Sequence, residues 1–124
     1  MLTNALGPMR VIEALQDHVP ADGMIGAMSS GQGSITNNDR GLRDVYRASK
    51  AALNMSMRSF AAREQGRPRA LLLLAPGWIR TDLGGPDAPY TVAESVPLLT
   101  DIMLAKRASP GLEYLDRFGH PVPW

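Results

Sequence analysis

The sequence predicts an α/β protein with a doubly wound parallel sheet, made of about three strands and three helices. Short apolar runs alternate with stretches of helical periodicity along the chain. Helix caps and stops fall between them, so the elements are separated by real boundaries. Each of the first two apolar runs leads into a Gly-, Ser- or Pro-rich exit, the kind of loop that carries sites at the carboxyl edge of a parallel sheet.

The first helix is predicted over Thr3–His18, where Leu2, Leu6, Met9, Ile12 and Leu15 recur at three- and four-residue steps and share one face. Val19-Pro20-Ala21-Asp22-Gly23 ends it as a turn cluster. Met24–Met28 is short and apolar, bounded by Gly23 and by Ser29-Ser30-Gly31, and reads as a buried strand. A polar loop follows over Gly31–Leu42. The second helix spans Asp44–Arg63, with Ala48, Ala51, Ala52, Met55 and Phe60 leaving a closely packable face and Gly66 and Pro68 stopping it. Ala70–Leu74, with its four leucines, is the second strand, and Pro76–Pro89 the loop beyond it. Thr91 with Glu94 three residues on forms a capping box. The third helix carries Val92, Val96, Leu99, Ile102 and Met103 and closes on Lys106-Arg107, favourable charges at a helix C-terminus. Pro110-Gly111 breaks it, Leu112–Phe118 is the last strand, and Gly119–Trp124 is a tail. A leading helix with no strand before it, and only three strands, fits the back half of a larger doubly wound fold, since parallel sheets need cover on both faces and usually more strands.

Composition narrows the function. The 124 residues allow one domain with a moderate core, and 44% apolar with 20% charged residues is an ordinary globular balance. A net charge of +1 lacks the one-signed basic surface of a nucleic-acid binder. The absence of cysteine excludes disulfides, Cys–zinc sites and thiol nucleophiles. His18 and His120 stand far apart with no third ligand, so no metal is expected. No apolar run approaches the ~20 residues of a membrane span. Met1-Leu2-Thr3-Asn4 lacks the charged and apolar segments of a secretory signal, so a cytoplasmic location is expected.

Four places carry chemistry. Tyr46 and Lys50 stand four apart on the second helix and project from one face. An ammonium beside a phenol favours phenolate and lowers its pKa from ~10 toward neutrality, which suits proton exchange with a carbonyl oxygen. The same spacing also describes an ordinary surface pair. Ser29 and Ser30 follow the first strand, where a hydroxyl can hold a substrate carbonyl and share its developing charge, and where serines also simply make turns. Pro8 has no N–H for the carbonyl of Asn4. If the helix runs through both, that carbonyl is free to hold a water; if Gly7-Pro8 starts the helix, Asn4 is its cap. Pro76-Gly77-Trp78-Ile79-Arg80-Thr81 leaves the second strand as a rigid turn suited to an amide-bearing ligand.

In order and spacing, Asn4 in Thr-Asn-Ala-Leu-Gly, Ser30, Tyr46-Arg-Ala-Ser-Lys50-Ala-Ala-Leu and Pro76–Thr81 resemble the C-terminal half of a short-chain dehydrogenase/reductase along essentially the whole chain. The sixteen-residue step from Ser30 to Tyr46 and the ending Tyr114-Leu-Asp-Arg-Phe-Gly-His-Pro-Val-Pro-Trp124 look like its C-factor-type, carbonyl-reductase-like branch. The resemblance implies a Rossmann fold and hydride transfer between NAD(P) and a small-molecule carbonyl or alcohol. It makes Tyr46 the general acid/base, with Lys50 tuning it and bonding the nicotinamide ribose. Ser30 would orient the carbonyl; it is chosen over Ser29 because the second serine of such a pair is the family's usual one. Asn4 would hold a relay water through its main chain, and Pro76, Gly77, Trp78, Ile79 and Thr81 would line the nicotinamide. The family's pyrophosphate-binding glycine turn has no counterpart in Gly23-Met-Ile-Gly26 or Gly31-Gln-Gly33, so residues 1–124 are expected to form a single partial domain, the catalytic half without the dinucleotide-binding half. The family's dimer interface implies a homo-oligomer through the helices at 3–18 and 44–63. The alternative is a non-catalytic remnant that acts as a helix-mediated dimerisation partner.

Overall fold

The computed structural model describes all residues 1–124. Three parallel strands, β1 (Met24–Met28), β2 (Ala70–Ala75) and β3 (Gly111–Asp116), form one sheet in the order β1-β2-β3. Met24 pairs with Ala70 and Met28 with Leu74, while Ala70 pairs with Gly111 and Ala75 with Asp116. All six residues of β2 are buried. This is why its sequence is uniformly apolar and does not alternate: a central strand is covered on both faces.

Side-chain alternation sends the leucines of β2 to two different cores. Leu71 and Leu73 join Met9 and Ile12 of α1 (Gly7–Leu15) and Leu53, Met57 and Phe60 of α2 (Asp44–Arg63). Leu72 and Leu74 meet Leu99 and Ile102 of α3 (Val92–Lys106), together with Leu115. Helices therefore cover both faces, the doubly wound arrangement expected. β1 has a neighbour on one side only. No helix is long and apolar enough to cross a membrane.

The first helical stretch changes pitch twice. It opens as a π turn over Leu2–Leu6, with the N–H of Leu6 donating to the Met1 carbonyl (3.3 Å) and that of Gly7 to Leu2, continues as α1, and closes as a 3-10 turn over Gln16–His18. Pro8 explains the entry, because α-helical bonding cannot pass through a residue with no N–H. The chain thus runs helically through both Asn4 and Pro8, and the Asn4 side chain caps nothing. α2 and the capping box of α3 stand where the sequence puts them, Thr91 Oγ1 accepting from the Glu94 N–H (3.2 Å) and Glu94 Oε2 from the Thr91 N–H (2.8 Å). β3 ends at Asp116 and not at Phe118, because the Asp116 carboxylate accepts the N–H groups of Phe118 (2.8 Å) and His120 (2.9 Å) and turns the chain back. The tail then returns to the sheet, with the Val122 N–H on the Tyr114 carbonyl (2.8 Å).

Candidate active site

The exits of β1 and β2 lie side by side, since Ser29 extends the ladder by donating its N–H to the Leu74 carbonyl (2.7 Å). The two serines then diverge. Ser29 is buried, and its hydroxyl donates to Asn54 Oδ1 at 2.5 Å. Ser30 is half-buried and caps the 3-10 turn Gly31–Gly33, its Oγ accepting from the Gln32 N–H at 3.2 Å. That bond uses a lone pair and leaves the Ser30 proton for an outside acceptor. Gly33 seats the turn on α2: a Cβ there would stand 3.0 Å from both Asn54 Nδ2 and Lys50 Cβ.

α2 brings the second group. The Lys50 ammonium donates to the carbonyl of Met28, the last residue of β1, at 3.0 Å. Burial without a bonded carboxylate holds its pKa below the usual lysine value. Tyr46, one turn earlier and half-buried, lies within electrostatic reach of Tyr114. An open hollow of about 570 Å³ borders it along Leu42–Tyr46. The lead-in to α2 is strained: Gly41, Leu42 and Arg43 all have φ near +60°, a conformation costing ~1–2 kcal/mol for each non-glycine residue. Arg47 holds them there, its Nε donating to the carbonyls of Gly41 (3.1 Å) and Leu42 (3.0 Å). Asn4 reaches the same turn from the π segment: its Nδ2 donates to Ser49 Oγ (3.1 Å), which donates to the Tyr46 carbonyl (2.7 Å).

Beyond β2, Pro76–Thr81 folds against the segment that leads into α3. The Arg80 N–H donates to the Tyr90 carbonyl (2.7 Å), its guanidinium to Ala88 (3.1 and 3.2 Å), and Trp78 Nε1 to Gly84 (2.7 Å). Gly84 must be glycine, since a Cβ would stand 1.9 Å from the Ile79 carbonyl oxygen. Thr81 Oγ1 accepts from the Gly84 N–H at 3.0 Å, so this hydroxyl serves the loop itself. A cleft of about 340 Å³ opens between the two exits and the tail, bordered by Gly31, Gly77, Tyr90 and Arg117.

Asn4, Ser30, Tyr46 and Lys50 are thus gathered around the first two turns of α2, while Pro76–Thr81 approaches from the neighbouring strand. Sequence reasoning missed Asn54, Tyr114 and Arg117. Asn54 stands one turn beyond Lys50 and two beyond Tyr46, a spacing that places it on their face. Tyr114 carries the signal of strand alternation, as a buried polar-tipped residue facing the α1–α2 core. Arg117 carries none: its guanidinium lies buried 3.6 Å from the Tyr90 ring centroid, a cation–π strut under the loop.

No family model matches the chain. C-signal of Myxococcus xanthus is 35% identical over 123 residues, which cover 98% of this chain and 74% of C-signal. Among solved structures, a protein assigned as a short-chain dehydrogenase/reductase from Burkholderia multivorans, with bound NADP, is 61% identical with a TM-score of 0.97. A carbonyl reductase from Pseudomonas aeruginosa PAO1, in complex with NADP, is 37% identical with a TM-score of 0.88. The matches cover 98% and 99% of this chain but 53% and 54% of those two, so it spans about half their length. With that geometry and these relatives, the chain belongs to the short-chain dehydrogenase/reductase family.

Proposed function

We propose that residues 1–124 form the proton-transfer half of an NAD(P)-dependent oxidoreductase acting on a small-molecule carbonyl or alcohol. The observation that carries this reading is the exit of β1, where the half-buried Lys50 ammonium bonds the Met28 carbonyl two residues before Ser30, whose hydroxyl keeps a free proton, with Tyr46 one helical turn before Lys50.

The donor set fits the nicotinamide end of the cofactor. Lys50 uses one N–H on Met28 and keeps two for ribose hydroxyls. Pro76, Gly77, Trp78, Ile79 and Thr81 would form the adjoining wall. The pyrophosphate end finds no cradle in Gly31–Gly33, a three-residue 3-10 turn that opens no α-helix. The relatives solved with NADP motivate the choice of cofactor class. Nicotinamide, when bound, supplies or takes the hydride at the substrate carbon. In the reducing direction Tyr46 gives its phenolic proton to the carbonyl oxygen, and Ser30 donates a hydrogen bond to the same oxygen. The Lys50 cation, one helical turn away, would offset the negative charge left on the phenol oxygen. Proton return runs through Lys50 from a water on the Asn4 main chain, whose carbonyl Pro8 cannot serve. Leu2, Leu6, Val11 and Leu15 on the first helix and Val45 and Met55 on α2 are exposed apolar residues, which supports pairing of two copies through these helices.

The test joins the chain to the remaining half of its Burkholderia multivorans relative and follows NADPH oxidation with an aromatic aldehyde. Tyr46→Phe is expected to lower kcat by about 10²–10⁴-fold. A Tyr46→Phe enzyme turning over near the parental rate would remove Tyr46 from the mechanism.

A further inference from the structure

Tyr114 sits inside β3 with its side chain almost wholly buried, and its phenol donates to the Ser30 carbonyl. That carbonyl accepts twice, since the Gly33 N–H also reaches it at 2.8 Å. Ser29 and Asn54 stand beside the same phenol. The Ser29 hydroxyl donates to Asn54 Oδ1, and the Asn54 amide extends to the Gly33 carbonyl (3.4 Å). Behind the ring stands Trp124, with centroids 5.3 Å apart. The Trp124 carbonyl accepts from the Thr36 N–H (3.0 Å) and hydroxyl (2.6 Å), so the tail that backs Tyr114 also ties the far end of the loop. Burial pushes the Tyr114 phenol above its ordinary pKa, so it keeps the proton it donates.

We propose that Tyr114 is a positioning residue for Ser30: by fixing the Ser30–Gly31 peptide plane from below, it sets the direction in which the Ser30 hydroxyl is presented to a substrate carbonyl. This rests on the role given to Ser30 above. The physical reason is leverage. The Ser30 Cβ is attached one bond from that plane, so removing one of the two donors that hold the carbonyl loosens the backbone torsion that orients the Cα–Cβ bond. A donor must be held to within ~0.5 Å to be productive. Ser29, Asn54 and Tyr114 touch no reacting atom in the proposed step, yet each braces the turn that does.

The full chain tests this without turnover. Tyr114→Phe removes one oxygen and keeps the ring against Trp124. Amide exchange at Gln32 and Gly33 is expected to accelerate about tenfold more than at the core residue Leu53. Equal acceleration at all three would overturn the proposal. Should the variant not fold, the parent decides: a slowly exchanging phenolic proton with a nuclear Overhauser contact to Gly31 is expected, and its absence is contrary. In the joined enzyme, with 4-nitrobenzaldehyde, Tyr114→Phe is expected to lower kcat about tenfold while KM for NADPH stays within about twofold. An inactive parent would indict the oxidoreductase reading and leave the exchange result to judge the turn. An active parent with an unchanged Tyr114→Phe kcat would refute the positioning role.

Discussion

The Ser29–Asn54 hydrogen bond lends itself to a double-mutant cycle. Both residues are 3% exposed, and the bond is short at 2.5 Å. Ser29→Ala strips Asn54 Oδ1 of this donor, at a cost of about 1–2 kcal/mol for a weakened buried acceptor. Asn54→Ala does more: it orphans the Ser29 hydroxyl, releases the long contact to Gly33, and leaves a small void, about 2–4 kcal/mol together. Each single variant already loses the shared bond, so the two losses count it twice. The double variant is therefore expected to be more stable than the sum by about 1–1.5 kcal/mol. Against a total of ~0.05–0.15 kcal/mol per residue, these are losses a urea titration followed by circular dichroism resolves easily. Additivity to within about 0.3 kcal/mol would refute the coupling, and with it the claim that Ser29 is structural while its neighbour stays free.

Three further outcomes follow from the same contacts. Lys50→Met is expected to leave stability unchanged or slightly raised, because burial disfavours the ammonium, while abolishing turnover in the joined enzyme under the proposed role of Lys50. Since the Lys50 pKa is lowered on folding, its charged form weighs against the fold at neutral pH, and any stability gain of the variant should shrink toward pH ~10.5 as the lysine discharges in the unfolded chain too. Tyr114 has the opposite sign of shift: its phenol is raised, so its contribution is fully present below pH ~10 and fades as pH climbs through the folded-state value. Absorbance at 295 nm should show one of the three tyrosines ionising last, and Tyr114→Phe should delete that step. Gly84→Ala drives a methyl into the Ile79 carbonyl at 1.9 Å, and is expected to open the loop to limited proteolysis while leaving the melting of the β1–β3 core within a few degrees; an unaltered digestion pattern would contradict the packing described.

Much of the architecture was legible because its signals are local. The four leucines of β2 and the Thr91–Glu94 box each state their element within a few positions. The packing face of α2 is different from the one expected: Ser49, Leu53, Asn54, Met57 and Phe60 are buried, while Ala48 and Met55 are exposed. The family resemblance nominates Asn4, Ser30, Tyr46 and Lys50; the structure puts Asn4 on Ser49 of the same turn of α2 and Lys50 on the last carbonyl of β1, just before Ser30. What escaped depends on contacts between distant segments. Nothing in Arg117 itself announces that it lies under Tyr90, and the sequence does not show that Tyr114 ends beneath Ser30, 84 positions away. The Asn4–Pro8 ambiguity was decided by a π turn, a geometry that periodicity cannot distinguish from an ordinary helix start. The resemblance favours Ser30 over Ser29, and the two differ in their bonds: the Ser29 proton is given to Asn54, and the Ser30 proton has no acceptor within the chain.

The central claim is that Ser30 and Tyr46 address a single oxygen. A crystal of the joined enzyme with NADP and an unreactive ketone measures this directly. The expected result places the Ser30 hydroxyl and the Tyr46 phenol each about 3 Å from the same carbonyl oxygen. A ketone seated elsewhere, or within reach of only one of the two, would contradict the account.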